Sequence, residues 1–278
     1  MDYTPWRSGR FTIGVGLRAP TTPHIFLGGD GLARLLENKA QVRRERLAKY
    51  YPPHHDLSSE ELAHATNYLR GQILAAGLPI KTHIDGPGFR DDLDQLACSV
   101  AEDIALWKRD DEKDWLAALH LCAPNHWSPE EKIGKSFLPV HAPVPKIAPV
   151  AQIALKLFDQ ILERGLQERL AWGVATDDRP NHHPAPPVGV APSEWQGRSF
   201  DEASPRLFAR VERQTVSPVP HTRLIVFTIR TYFVDVRTLS REDRDLMSLA
   251  LDSMDEEILR YKGLFHDRPL IQRWLKSF

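Results

Sequence analysis

Two long apolar runs near the C-terminal end, Leu207–Val216 and Arg223–Val236, constrain the fold of this chain most. Both are rich in β-branched and aromatic residues, and Ser217-Pro218-Val219-Pro220-His221 separates them. Proline cannot donate to a central ladder, so the separator reads as a turn and the runs as a hairpin. An earlier pair repeats the pattern. Asp103–Lys108 and Trp115–Cys122 flank the charged turn Arg109–Asp114. Leu170–Ala175 reads as one more strand. Hairpin, irregular segment, helix, strand and hairpin in that order predict a five-stranded antiparallel sheet. Helices precede and follow it, so the class is α+β.

Residues 31–50 have apolar positions at helical spacing and a basic polar face. Arg43, Arg44 and Arg46 on that face are expected in solvent. Ser58 or Ser59 caps a second helix running to about Ala76, with a capping-box pattern. A loop over 79–91 and a third helical segment over 92–100 follow. Val150–Arg164 is amphipathic: Ile153, Leu155, Leu157, Phe158, Ile161 and Leu162 share one face, and Gly165 ends it. Residues 177–198 form a long Pro-rich loop in which His182 and His183 are expected to face water. A last helix covers Arg241–Leu259. Residues 1–30 read as an irregular arm with one short strand over Phe11–Val15. The organisation expected is an N-terminal arm and helical extension over 1–100, packed on a core over 101–278.

The formal net charge of −1 over 278 residues gives no field to attract nucleic acid or an anionic membrane. No window has the apolar length of a membrane span, and the N-terminus carries no secretory signature. Cys98 and Cys122 are the two cysteines, too few for an iron–sulfur cluster and without CxxC spacing. No GxGxxG fingerprint precedes a helix. These features point to a cytoplasmic chain that draws electrons, if it needs them, from elsewhere.

The stretch from Trp127 to Pro145, WSPEEKIGKSFLPVHAPVP, is the densest in chemical signal. Pro139, Pro143 and Pro145 fix φ and restrain their predecessors, which predicts an extended Val140-His141-Ala142. A stiff backbone carrying one imidazole suits an axial metal or haem ligand. The alternative is a hydrogen-bonded loop histidine.

Four blocks then carry a family resemblance. They are Glu102 to Leu106, Trp127 to Pro145, Glu212 to Thr215, and Phe227 to Tyr232; Tyr261-Lys262-Gly263-Leu264 and Gly16-Leu17-Arg18 add to them. The chain resembles the haem-dependent oxidative N-demethylase alpha-subunit family. Its approach to Trp127, from His120 to His126, departs from the family pattern. The resemblance implies a PAS-like core, in which a helical segment against the antiparallel sheet holds the haem, with N-terminal helical additions. It implies haem b, with its iron, as cofactor. The implied reaction is oxidative N-demethylation of a small amine substrate by O2, a monooxygenase type of oxidation. Electrons would come from separate flavin and iron–sulfur reductase components. Assembly as a homo- or hetero-oligomer is compatible with it. The rival readings are a PAS-like haem sensor of gas or redox state, and a binding module without haem.

Within that resemblance His141 is the expected iron ligand; whether His126, His120 or Cys122 contact the haem is left open, and Cys122 reads otherwise as a small buried hydrophobe. Lys132 and Lys135 flank Gly134 and could pair with haem propionates, or lie in an exposed turn. Arg213 and Arg230 sit among apolar strand residues and need an acid partner, either a propionate or a structural carboxylate. Glu102 and Asp103 alternate onto opposite faces, so one at most can serve the pocket as acid, base or ammonium partner. Tyr232 could assist a distal ligand or be a core aromatic.

Overall fold

The sheet is built around the expected C-terminal hairpin, β4 (Phe208–Pro218) and β5 (Leu224–Asp235). β1 (Asp103–Arg109) and β2 (Asp114–His120) form the first hairpin, and β3 (Gln167–Ala175) pairs with β4. The strand order is β2-β1-β5-β4-β3, and every pairing is antiparallel. The structure, a computed structural model, describes residues 4–13, 16–151, 153–195 and 199–278.

Strand alternation and register divide the side chains between two faces. Ile104, Leu106, Leu224 and Val226 share one face with a core from α2 (Ser59–Ala75) and α3 (Asp92–Ala97), including Leu69, Ile73 and Leu96. We call this the arm face, because the N-terminal arm also lies on it. Further along, Ala209 and Val211 meet the C-terminal helices through Met247, Leu251, Ile258 and Ile271. Ala105, Trp107, Val216 and Ile225 point the other way, onto Phe158 and Ile161 of α6 (Ala154–Arg164). We call this the α6 face.

α1 (Leu32–Tyr50) and α2 match the spacing argument, and Ser58 and Glu61 close a reciprocal capping box at α2. Other expectations are corrected. Arg43 is buried, not solvated, because its guanidinium pairs with Asp94 of α3. The helix expected over 150–164 comprises α5 (Ala148–Ala151) and α6, with Ile153 exposed between them. The last helix is two, α8 (Arg241–Asp252) and α9 (Glu256–Lys262). Asp255 caps the N-terminus of α9 by accepting from the Ile258 amide, which restarts the helix. α10 (Arg268–Leu275) follows, with a proline in its first turn. α4 (Phe137–His141) and α7 (Pro192–Trp195) are short helices within the irregular segments. No strand forms over 11–13, and 14–15 lie outside the described residues. The arm instead pairs through Arg18 with Glu168.

Candidate functional site

The Trp127–Pro145 segment folds back along β2. Leu116 donates its amide to the Lys135 carbonyl and accepts from the Gly134 amide, so the basic turn lies against the strand. Gly134 has φ 74°, and a Cβ there would meet the His55 ring at 3.0 Å. Next, the Asp114 carboxylate accepts from the Phe137 amide at 2.7 Å, which starts α4. Val140-His141 is therefore helical, not extended. Pro139 occupies the first turn, where its missing N–H has no intrahelical acceptor to lose.

This turn of helix orients His141. Its Nδ1 lies 2.9 Å from the Phe137 carbonyl. A carbonyl can only accept, so Nδ1 carries the proton and the lone pair is left on Nε2. The ring stacks on Phe137 at 4.1 Å and lies 6.4 Å from Trp107. Burial pushes its pKa down to about 4, against the Phe137 hydrogen bond; Arg169 and Lys132 push the same way as burial. At neutral pH the imidazole is therefore neutral. A neutral imidazole with Nδ1–H fixed on a backbone carbonyl is the state in which histidine ligates a metal.

The α6 face opposite has two halves. Ala105, Trp107, Phe227 and Ile229 make an apolar half on β1 and β5. On β3 and β4 the same face carries Arg169, Arg210, Glu212 and Gln214. Glu212 accepts from Arg210 at 3.2 Å and from Gln214 at 3.0 Å. Thr231, on β5 beside them, has a buried hydroxyl with no hydrogen-bond partner. An apolar wall, a few converging polar groups and a neutral histidine together describe a cofactor or ligand site.

Residues 35–271 match the sequence model of the family described as haem-dependent oxidative N-demethylase, alpha subunit-like. The match spans most of the chain. This chain belongs to that family. The description names haem, and an alpha subunit implies an enzyme of several subunits. The donor set fits the group: a neutral nitrogen on His141 and an apolar wall beside it.

Of the family-derived candidates, the structure brings Lys132 close to His141. Its Nζ donates to the Val140 carbonyl at 3.0 Å, and burial lowers its pKa. Lys135 is exposed. Arg213, Arg230, Glu102 and Tyr232 lie on the arm face, across the sheet from His141. Arg213 donates to Glu168 at 3.0 Å and to the carbonyls of His24 and Ile25. Arg230 donates to Glu102 at 3.2 Å and to the carbonyls of Leu27, Gly28 and Asp30. Burial raises the Glu102 pKa, with Arg230 opposing. These groups clamp the N-terminal arm to the sheet. Tyr232 packs among the C-terminal helices, with the Arg230 guanidinium 5.3 Å from its ring centre. Asp103 is on the α6 face, but its oxygens accept from the amides of Cys122 and Ala123 at 2.9 and 2.8 Å. It fixes the bend after β2.

Two histidine networks escaped sequence reasoning. His120 is fully buried on the arm face, 3.0 Å from Asp94, whose oxygens also accept from Arg43. Burial raises the Asp94 pKa, yet His120 and Arg43 outweigh it and hold the carboxyl well below the usual range. Cys98 and Cys122 each come within 3.8 Å of a His120 nitrogen. Asp94, Cys98 and His120 are close enough to share an ion. With Arg43 already on both Asp94 oxygens, they form a satisfied hydrogen-bonded cluster. The second network is His182 and His183, which are buried and do not face water. Asp177 and Glu130 are their acid partners, lying outside the strands where charged neighbours are easiest to read.

Proposed function

We propose that this chain holds haem b through Nε2 of His141 and oxidises the N-methyl group of a small amine. The observation that carries this reading is the His141 Nδ1–Phe137 carbonyl hydrogen bond on a family-specific segment. The order β2-β1-β5-β4-β3, with α4–α6 between β2 and β3, supports a PAS-like core over 101–278 and a helical extension over 1–100.

Bound haem would supply oxygen activation, and the protein would supply ligation, orientation and charge. Trp107, Phe227 and Ile229 would wall the macrocycle and exclude water. Lys132, Lys135 and Arg169 are the cations suited to the propionates, since Arg213 and Arg230 are engaged with the arm. Glu212, which shares its oxygens with Arg210 and Gln214, would be the carboxylate to meet a protonated amine on this face, because Glu102 pairs with Arg230 on the other face and Asp103 holds the bend after β2. Electrons would come from separate flavin and iron–sulfur proteins. The family description favours turnover over sensing.

The test is a panel of methylated amines added to the haem-loaded ferric protein. A secondary or tertiary methylamine should shift the Soret band and, with a chemical reductant and oxygen, release formaldehyde. Neutral isosteres should bind more weakly. Haem loading without any amine response would remove the demethylase assignment and keep the cofactor.

A further inference from the structure

The loop from 177 to 187 closes over α1 and the start of β4 through two consecutive histidines, and the contacts of the first specify its protonation. His182 has a fully buried side chain. Its Nε2 lies 2.8 Å from Asp177, and its Nδ1 lies 3.3 Å from Nη1 of Arg210. A guanidinium can only donate, so Nδ1 must accept and Nε2 must carry the single proton. His183 differs. Its Nδ1 lies 3.0 Å from the Ala185 amide and 3.3 Å from the Ala185 carbonyl, and its Nε2 lies 3.1 Å from Glu130.

A second proton on the His182 ring has to enter at Nδ1, where a donor already points. For His182 that donor is a cation which cannot swing away. Arg210 also donates to the carbonyls of Pro180 and Ala123 and to Glu212. Around His182 stand Asp177 and Arg179 of the loop, Arg210 and Glu212 of β4, and the His126 ring stacked at 4.9 Å. Asp103 of β1 acts on Arg210 from beyond. Around His183 stand Glu130, its partner Lys49, and Arg46 and Tyr50 of α1. Asp177 would favour imidazolium at His182. It already accepts Nε2–H in the neutral state, so it does not offset the bond lost at Nδ1. Burial lowers the His182 pKa, with Arg210 and Arg179 adding to it against Asp177.

We propose that residues 177–187 are a proton-sensitive latch: His182 holds the loop closed only while neutral, and acid releases it. The loop is tied further by a backbone bridge, in which the His182 amide donates to the Pro124 carbonyl and the His126 amide to the His182 carbonyl, by Arg34 on Asp178, by Arg46 on the carbonyls of Ala185 and Pro186, by Asn181 on the Tyr50 hydroxyl and by the Trp195 indole on the His183 carbonyl; all are polar contacts that solvent can replace. A groove of about 210 Å³ already lies between α1 and the closed loop, walled on the far side by Arg179, Pro180 and Asn181 of the loop and by Trp195, and release would widen it. The latch stands on this hydrogen bonding and does not depend on the haem reading.

Amide hydrogen exchange of the full chain, read as protection factors at pH 7.5 and 5.5, tests it. With an unhindered histidine pKa near 6.5, the proton barred from His182 favours the open loop about tenfold at pH 5.5. Protection of the His183 and Ala185 amides should fall about tenfold, while β4 and β5 keep theirs. The variant His182→Asn keeps an acceptor near the Nδ1 position and cannot titrate there. It should lose that pH dependence. Unchanged protection in the wild-type chain overturns the latch whether or not the variant folds. So does a folded variant with the wild-type pH dependence.

Discussion

Two residues on opposite faces of one sheet divide the chemistry from the scaffold. His141 has one nitrogen fixed on a carbonyl and the other left as a donor. Arg230 has its guanidinium spent on Glu102 and three carbonyls of the arm. Removing one partner of a buried ion pair strands the other, at a cost of about 3–5 kcal/mol. Arg230→Ala should therefore lower the urea midpoint strongly by leaving Glu102 unpaired. The Glu102→Gln, Arg230→Met double variant should be less destabilised than Arg230→Ala. The haem spectrum of the folded fraction should be that of the wild type in both, because neither residue faces His141. A spectral change in Arg230→Ala with little loss of stability would place the guanidinium at the cofactor instead.

At the scale of elements, α4 is the short piece that positions the proposed ligand His141, and Asp114 starts it. Asp114→Ala removes the acceptor for the Phe137 amide, a cap-type contact worth about 1 kcal/mol. The expected outcome is a haem affinity several-fold weaker by spectrophotometric titration, with thermal unfolding changed little. Equal affinity would mean that α4 needs no such cap. The sequence carried the strands and the long helices because periodicity and caps are local: Ser58 to Glu61 shows its capping box in four letters. It did not carry α4, since a proline three residues into a five-residue helix looks like a breaker out of context. The break at Asp255 was legible, as Asp-Glu-Glu before an apolar run is an N-terminal signature. Face assignment was not. Whether Arg213 and Arg230 share a face with the ligand depends on register and on what covers each side, and both come from tertiary pairing. His182 and His183 were misplaced for the same reason, since Pro-rich composition predicts a loop and says nothing of its burial.

For the whole molecule, buried histidines couple folding to pH. Burial leads the depression of pKa at His54, His120 and His182. Their unfolded values lie near 6.5, so below that pH the unfolded chain binds more protons than the folded one. Stability then rises with pH, and acidification through about 6.5 removes it. Lowered carboxyl pKa values at Asp94, Asp177 and Glu168 extend the loss once pH falls toward 4. Glu102 and Asp114, raised by burial, oppose it. Urea midpoints of the haem-free protein should drop between pH 7 and pH 5 with little change in slope. A midpoint that holds or rises over that interval would show that the raised carboxyls dominate.

The central claim is that His141 is the haem ligand, and a haem titration followed by absorption spectroscopy tests it most directly. The wild-type chain should gain a Soret band saturating at one haem per chain. His141→Ala should stay folded by circular dichroism, and should either fail to retain haem or show an altered spin-state spectrum. A His141→Ala protein with the wild-type spectrum and full occupancy would contradict the account, and His126 would be the next residue to substitute.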